Sequence, residues 1–430
     1  MGGRRGALAL CIAALVPFLI LAQDTDPKQR SRAVRELAKQ GVDSIPKIAA
    51  YMTDPDFSVR VETVKALVDL GGPKTLDALV RALSDNDAEV LIRATDGVVN
   101  VYVPGYVKAG FSGTLSRAGT SVRGKFTDTN DQVVDAFVQV RPDAIAALGK
   151  LASGAPSMDA RANAARAVGV LRGRAALPDL IEALHSKDDK LMYESLIAVQ
   201  KIGDPAAAPR VSFLVKDLAE RIQVTALETT GLLRDKQAAP DIRDALDHAR
   251  TVKVRRAALA ALAMIAEPAD HGRFLQNLAD KDDGVRAAAA EGLGRLKVPA
   301  DRPVLEPAFA NERGMSPRLS AAFALVALGQ VNTEHYGPLK YLVNALNQRL
   351  WRGVAGAFLI ELAREQGVRQ AIYTLVPEST KDEKIQLSIV LARSGSKDSV
   401  PFLEAMSVDP DPEVQAEGIR GLRTLRARLP

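Results

Sequence analysis

The stretch Asp282–Leu296, which reads DDGVRAAAAEGLGRL, predicts an amphipathic α-helix and sets the pattern for most of the chain. Asp282 and Asp283 stand at its start, where an aspartate side chain caps a helix by accepting hydrogen bonds from free backbone N–H groups. One apolar stripe follows at helical spacing: Val285, Ala289, Leu293 and Leu296. The spacing predicts that this stripe is buried, and the small alanines beside it allow a neighbouring helix to approach closely.

The same unit recurs along the chain at a nearly constant interval. Aligned on Arg286, the equivalent positions are Arg30, Arg60, Leu91, Arg161, Met192, Gln223, Arg255, Arg286, Arg318, Arg352, Gln386 and Gln415. A fixed period of this length is typical of a solenoid, in which each helix pair buries its apolar face against its neighbours. The sequence therefore predicts an all-α fold, a superhelical stack of about eleven helix pairs. The repeats occupy residues 23–101 and 141–430, and the last copy serves as a capping repeat.

One interval is much longer than the others and predicts an irregular insertion at residues 102–140. It lies between Leu91 and Arg161, and its proline and glycines exclude a regular helix. Aromatic and basic residues alternate in it, with no acid before residue 128: Tyr102, Tyr106, Lys108, Phe111, Arg117, Arg123, Lys125 and Phe126. We expect the insertion to pack partly over the stack, as a lid or as part of a binding site. A disordered loop is the alternative.

The N-terminus reads as a signal peptide over residues 1–22. Arg4 and Arg5 precede an apolar run, Gly6–Leu21, and Ala22 offers a small residue for cleavage before Gln23. We expect a mature periplasmic or secreted chain; retention as an N-terminal membrane anchor is the alternative. Cys11 is the single cysteine, so the cleaved chain has no disulfide and no thiol chemistry.

Motifs for catalysis, metals and nucleic acid are missing from the sequence. It contains no phosphate-binding loop and no nucleophile elbow. The four histidines are scattered, and the acidic turns do not follow the spacing of a calcium loop. The formal net charge is +5 and falls to +3 when Arg4 and Arg5 are removed with the signal peptide, which is too small to indicate nucleic-acid binding. We therefore expect no enzymatic activity, no metal, no cofactor and no nucleic-acid partner.

The unit D-x-x-V-R-x-x-A-A-x-A-L-G-x-L resembles HEAT-like repeats, most closely the short version named after phycobilin lyases. Asp56–Leu70, Asp159–Leu171 and Asp282–Leu296 show it best. The resemblance implies an α-solenoid whose V-R helices line the concave face, with a ladder of Asp–Arg pairs along the turns. Evenly spaced arginines that track phosphates are the alternative to the ladder. Several positions lack the arginine, so we expect a broken ladder: Leu91, Met192, Gln223, Gln386 and Gln415.

Apolar side chains in the middle of the array stand at positions that we expect to face outward on the concave side. They are Val170, Tyr193, Ile197, Val224, Leu232, Met264, Leu319 and Phe323. An exposed apolar strip of this extent usually marks a binding surface. The alternative is that short repeats pack so closely that some of these side chains belong to the core.

The leading functional hypothesis is a non-enzymatic scaffold of the bacterial periplasm or envelope, which binds a protein or peptide through its concave face and its insertion. The resemblance to phycobilin lyases suggests a second hypothesis, a lyase-like or chaperone-like helper that holds a chromophore or small ligand. That role needs a positioned acid, base or nucleophile, and the sequence offers none. A third hypothesis is a basic adaptor that holds acidic polymers at the membrane through peripheral contact.

Overall fold

The computed structural model describes residues 26–106 and 132–429. Both ranges are helical, and neither contains a strand. The first range holds five α-helices, α1 (Pro27–Ala38), α2 (Ile45–Ala49), α3 (Phe57–Leu70), α4 (Leu76–Ala82) and α5 (Ala88–Tyr102). The expected signal peptide, residues 1–22, lies outside the described residues.

The second range continues the alternation of long and short helices. Up to residue 250 it contains α6 (Pro142–Gly154), α7 (Met158–Val170), α8 (Leu177–Ala183), α9 (Asp189–Ile202), α10 (Glu220–Leu232) and α11 (Ala239–Asp247). Two 3-10 segments, Pro205–Arg210 and Ser212–Lys216, replace the short helix between α9 and α10. The remaining helices are α12 (Val252–Ile265), α13 (His271–Asn277), α14 (Asp283–Leu296), α15 (Arg302–Ala310), α16 (Met315–Ala327), α17 (Pro338–Ala345), α18 (Arg352–Leu362), α19 (Gln366–Leu375), α20 (Lys381–Ser394), α21 (Val400–Ser407) and α22 (Pro412–Arg428).

These helices form two rows. The long row consists of the helices that carry the repeat position, and each packs against the next along the row: α1, α3, α5, α7, α9, α10, α12, α14, α16, α18, α20 and α22. The other helices and the two 3-10 segments form the short row, which alternates with the long row along the chain. The architecture is the predicted all-α solenoid.

Aspartate caps start several long helices, as the sequence predicts. The Asp282 carboxylate accepts a hydrogen bond from Val285 N (3.0 Å), and Asp87 caps α5 in the same way through Glu89 N (2.9 Å). Leu293, two turns after Val285 in the apolar stripe of α14, is fully buried. The predicted cap is confirmed at Asp282, and the stripe is buried at Val285, Ala289 and Leu293 but only partly buried at Leu296.

In the middle of the row, from α7 to α16, glycines bring every second pair of neighbouring long helices especially close. A Cβ atom placed on Gly231 of α10 would lie 2.7 Å from Ala261 Cα of α12. The same holds for Gly169 against Ala198, at 2.7 Å, and for Gly294 against Ala324, at 2.6 Å. Real Cβ atoms do not approach a backbone this closely, so these positions require glycine. The long helices recur once in every repeat, whereas these close glycine contacts recur once in every two repeats. We call this pattern the two-repeat alternation.

The ladder of ion pairs follows the turns. Within the described residues it is broken at the positions that lack the arginine, as predicted, and also at Arg161 and at Arg318, whose guanidinium lies over the Phe309 and Tyr341 rings. The pairs of the ladder are Arg30–Asp54, Arg60–Asp85, Arg255–Asp280, Arg286–Glu312 and Arg352–Asp382. Arg286 shows how the ladder stabilises the stack. Its guanidinium pairs with Glu312 in the next turn and also donates a hydrogen bond to the carbonyl of Asp280 in its own turn (2.8 Å). Arg161 has no acid in the next turn and instead donates to Ala152 O (2.9 Å). These arginines thus join consecutive turns of the solenoid to one another.

The long row continues directly across the insertion. α5 packs against α7, and Asn163 Nδ2 of α7 donates to Ile92 O (3.3 Å) of α5. At the far end of the insertion, Val134 N donates to Val170 O (2.8 Å) at the end of α7. The stack is therefore continuous, and the described ends of the insertion lie beside it.

Candidate protein-binding face

Polar side chains link successive long helices across their exposed side, which we call the long-row face. Asn163 of α7 donates to the Asp96 carboxylate of α5 (2.9 Å). One turn further along α7, Arg166 forms a two-point ion pair with Glu194 of α9, with Nε–Oε2 and Nη2–Oε1 distances of 3.1 and 2.5 Å. A bidentate pair of this kind fixes both side chains in one geometry. Glu194 is only 7% exposed, so this polar surface between α5 and α9 is rigid and mostly covered rather than open to solvent.

Tyr106 lies against this polar surface. Burial raises the pKa of the Tyr106 hydroxyl above its ordinary value, and the nearby Asp96 carboxylate raises it further. Burial alone would lower the pKa of Arg166, but the Glu194 carboxylate more than offsets this and holds it above its ordinary value. The first described end of the insertion is thus anchored between α5, α7 and α9. Tyr102 joins the two described ends of the insertion, because its hydroxyl accepts a hydrogen bond from Arg141 N (3.1 Å).

Further along the row the face becomes aromatic and apolar. The Arg221 guanidinium of α10 lies over the Tyr193 ring of α9, 3.6 Å from its centroid. Leu232, at the end of α10, is 50% exposed. Tyr193, Val224 and Met264 are partly exposed. Tyrosine, methionine and arginine are enriched in protein interfaces, so this stretch has the composition of a binding surface.

The expectation of outward-facing side chains is wrong for Val170, Ile197, Leu319 and Phe323, which are all buried. Phe323 is covered because its neighbours close over it. Its ring stacks on Phe358 of α18 at 4.6 Å, and the Arg295 guanidinium of α14 lies 5.1 Å above it.

Residues 132–134 cover the other end of the expected strip. Val134 is hydrogen-bonded to Val170, as described above, and Ile197 lies one turn before Lys201, whose ammonium donates to Gln132 O (3.3 Å). The exposed apolar part of the long-row face is therefore shorter than predicted and centres on Leu232 and Met264.

The C-terminal ends of distant long helices meet, because the row curls on itself. Glu361 of α18 binds Arg295 of α14 (2.8 Å) and lies 3.6 Å from Arg234, which follows α10. Arg420 of α22 binds Asp135 (Nε–Oδ1 3.0 Å), although 285 residues separate them. Contacts between such distant repeats are not part of the nearest-neighbour pattern of a simple solenoid.

The predicted site residues differ in location and in exposure in the structure. Tyr102 is the last residue of α5, so the helix reaches into the predicted insertion, and Tyr106 lies just beyond it. Tyr193, Leu232 and Met264 lie on the exposed long-row face. Ile197 and Phe323 are buried. The remaining candidates lie outside the described residues: Lys108, Phe111, Arg117, Arg123, Lys125 and Phe126.

The sequence analysis missed the polar residues of this face. Asn163 and Glu194 both stand two residues after the repeat position of their helices, and Arg166 stands five residues after it. No motif marks them, because the residue types at these positions change from one repeat to the next. Only the packing of α7 against α9 brings Arg166 and Glu194 together. Within residues 26–106 and 132–429, no group of three or more metal-binding side chains is placed to hold an ion. No helix in that part of the chain is long and apolar enough to cross a membrane.

Comparison with known proteins supports the repeat assignment. The family model for HEAT repeats matches residues 15–97 and 145–217. No curated protein matches the sequence significantly.

Solved structures with a similar arrangement include an engineered protein, which is 18% identical and has a TM-score of 0.35 over 89% of this chain and 98% of the other. The complex of CpcE and CpcF of phycocyanin lyase from Nostoc sp. PCC7120 is 19% identical, with a TM-score of 0.33 over 68% of this chain and 90% of the other. Kap121p bound to Ste12p is 13% identical, with a TM-score of 0.43 over 94% of this chain and 56% of the other. Similarity at these levels carries no conclusion about activity or partner.

Proposed function

We propose that this chain, an α-solenoid containing HEAT repeats, is a non-enzymatic scaffold of the bacterial periplasm or envelope. It binds a protein or peptide on the long-row face, next to the two described ends of the insertion. A HEAT-repeat solenoid is suited to protein binding because it presents an extended surface on a rigid stack. The observation that supports the site is the exposed stretch formed by Tyr193, Arg221, Leu232 and Met264, whose composition matches protein interfaces.

A comparison of two leucines tests the face. Leu232 of α10 is 50% exposed on the long row, and Leu275 of α13 is 39% exposed on the short row. Tagged chains are crosslinked in the envelope fraction of the native host, and the captured proteins are identified. We expect one dominant partner with the wild type and with Leu275→Glu, and its loss with Leu232→Glu. Equal capture by both variants would place the binding site elsewhere.

The proposed location rests on the sequence of residues 1–22 alone. An apolar run after a basic start directs export, so the mature chain is expected to begin near Gln23. Intact-mass measurement of protein purified from its native host tests this. A cytosolic product that retains Met1 would contradict the proposed location but would not bear on the proposed binding face.

The non-enzymatic part of the proposal accounts for two histidine–carboxylate pairs, because such pairs also occur in catalytic sites. His248 and Asp244 lie one turn apart at the exposed end of α11, with Nδ1 and Oδ1 3.1 Å apart. His271 Nε2 of α13 lies 2.9 Å from Asp301, which precedes α15. Arg243 of α11 makes the equivalent contact with Asp270, which precedes α13 (2.8 Å). Asp270 and Asp301 are equivalent positions, and an arginine from a different position of the preceding short helix holds Asp270. We therefore assign the His271–Asp301 pair a structural role in the short row.

A further inference from the structure

Exposed cations occupy the turns that lead into four consecutive long helices. These turns precede α12, α14, α16 and α18, and each holds one such cation: Arg250, Lys281, Arg313 and Arg349. An exposed leucine stands at each end of the series, Leu218 in the turn before α10 and Leu350 next to Arg349. We call these six residues the basic edge.

The four cations are not neutralised by the chain itself. Within residues 26–106 and 132–429 none of them forms an ion pair or a side-chain hydrogen bond. The turns before α12 and α18, residues 248–251 and 346–351, contain no acid. Arginines of the long helices already hold the acids of the other two turns: Asp280 by Arg255 (2.9 Å), Asp282 by Arg256 (2.5 Å) and Glu312 by Arg286 (2.8 Å). The edge therefore carries an excess of positive charge.

Ion pairs hold these turns side by side. Lys253 at the start of α12 binds Glu220 at the start of α10 (2.9 Å). The pairs of Asp280 and Glu312 join the turns before α14 and α16 to the preceding long helices in the same way, and α16 packs against α18. Because packed helices lie about 8–10 Å apart, the four cations form a line along one edge of the stack.

The basic edge lies at the N-terminal ends of the long helices, away from the insertion. Tyr106 follows the C-terminal end of α5, and Val134 N donates to Val170 O at the C-terminal end of α7 (2.8 Å). Leu232 ends α10, whose 13 residues separate it from the turn that holds Leu218, a distance of about 20 Å at the rise of an α-helix. The edge is therefore a surface distinct from the proposed partner site.

We propose that the basic edge docks the solenoid on an anionic phospholipid surface, with Leu218 and Leu350 inserted among the headgroups. A peripheral protein binds a membrane by combining cations, which anionic lipids attract, with apolar side chains that enter the interface. Leu218 is 86% exposed and Leu350 is 81% exposed. Leucines this exposed protrude from their surroundings, and a lipid surface accepts them without a complementary groove.

Sedimentation with lipid vesicles tests the proposal. Protein purified from its native host is mixed with phosphatidylcholine vesicles, either pure or containing about one third phosphatidylglycerol. We expect tighter binding to the anionic vesicles, which weakens as salt is added. Lys281→Gln should weaken it roughly fivefold, and Lys281→Gln combined with Arg313→Gln roughly twenty-fivefold, because each cation near an anionic surface contributes a factor of about five.

Lys236→Gln is the matched control. Lys236 is also exposed and has no ion pair in the described parts of the chain, but it follows the C-terminal end of α10, at the opposite edge. This variant should bind the vesicles as the wild type does. An equal loss with Lys236→Gln and Lys281→Gln, or no preference of the wild type for anionic vesicles, would overturn the proposal. Binding of hexaglutamate or single-stranded DNA through Lys281, without vesicle binding, would assign the edge to another partner and overturn it too.

Quenching of tryptophan fluorescence by brominated lipids supplies a second measurement. Tryptophan replaces Leu218 or, as the control, Leu275, which is 39% exposed in α13 of the short row. On anionic vesicles we expect the added emission of Leu218→Trp to be quenched and that of Leu275→Trp to persist. Equal quenching at both positions, or none at position 218, would contradict the docking. Partner capture through Leu232 should persist when Lys281 and Arg313 are changed, so this inference and the proposed function fail separately.

Discussion

At the scale of single residues, Asp282 shows how one side chain both starts a helix and joins two repeats. Its carboxylate caps α14 and binds Arg256 of α12, whose Nε lies 2.5 Å from Oδ1. The Arg256 guanidinium lowers the pKa of Asp282 from 3.8 to about 2, and the backbone N–H of Val285 adds to the effect although burial opposes it. The charged form is therefore favoured in the folded chain.

We expect Asp282→Ala to lower the free energy of unfolding by about 1–2 kcal/mol, the usual cost of losing a helix cap. Asp282→Asn keeps the cap and loses the charge, so its effect should be smaller. Because the folded pKa is depressed, the charge stabilises above pH 3.8 and this contribution is lost as the pH falls toward about 2. Urea unfolding across this range measures it. A gap between wild type and Asp282→Asn that widens toward low pH would contradict the assignment.

Leu293 tests the burial of the apolar stripe. It is fully buried between neighbouring repeats, so Leu293→Ala should cost about 2–5 kcal/mol, as core truncations do. Leu296, in the same stripe, is only partly buried, and Leu296→Ala should cost less. Chemical denaturation gives both values. A loss under about 0.5 kcal/mol for Leu293→Ala, the range of surface changes, would show that the face is misassigned.

At the scale of the helices, the two-repeat alternation depends on glycine at the contacts. Gly231→Ala should destabilise by about 1–3 kcal/mol, because the new methyl group meets the α12 backbone and forces the helices apart. Gly356 of α18 is the control, since nothing lies within 4 Å of a Cβ placed there. Gly356→Ala should stabilise by up to about 1 kcal/mol through better helix propensity. If both changes stabilise, the close approach of α10 and α12 is not real.

The sequence predicts much at this scale but not which apolar side chains are exposed. Helical spacing and aspartate caps predict α14 and its buried stripe, because both depend on residues close together in the chain. Leu232 and Phe323 both stand at positions where the sequence predicts an outward-facing side chain, yet Leu232 is exposed and Phe323 is buried. The difference arises because α14 and α18 close over α16, and the curvature that allows this results from the packing of the whole row.

At the scale of the whole molecule, the curl is held by contacts that no repeat period predicts. Arg295 is only 7% exposed and is shared by Glu291 and Glu361. Burial alone would raise the pKa of Glu361, but Arg295 more than offsets this and lowers it. Glu361 therefore stays charged and bridges α14 and α18. The Asp135–Arg420 pair is equally invisible in the sequence, since it joins the insertion to the last helix.

We expect Glu361→Gln to lower the free energy of unfolding by up to about 3 kcal/mol, since it leaves a buried arginine with one partner fewer. The row should also open, and small-angle X-ray scattering should show a larger radius of gyration. Glu365→Gln is the control, because the Lys297–Glu365 pair is more than half exposed and contributes little. Two variants of equal stability and size would mean that Glu361 does not hold the curl.

Photo-crosslinking from two aromatic positions tests the central claim most directly, namely that the long-row face binds a protein. Benzoylphenylalanine replaces Tyr193 on the long row or Phe213 in the short-row segment 212–216, where Phe213 is 49% exposed. Each chain is expressed in the native host and irradiated there. We predict a discrete crosslinked protein from position 193 and none from position 213. The same product from both positions, or from position 213 alone, would contradict the account.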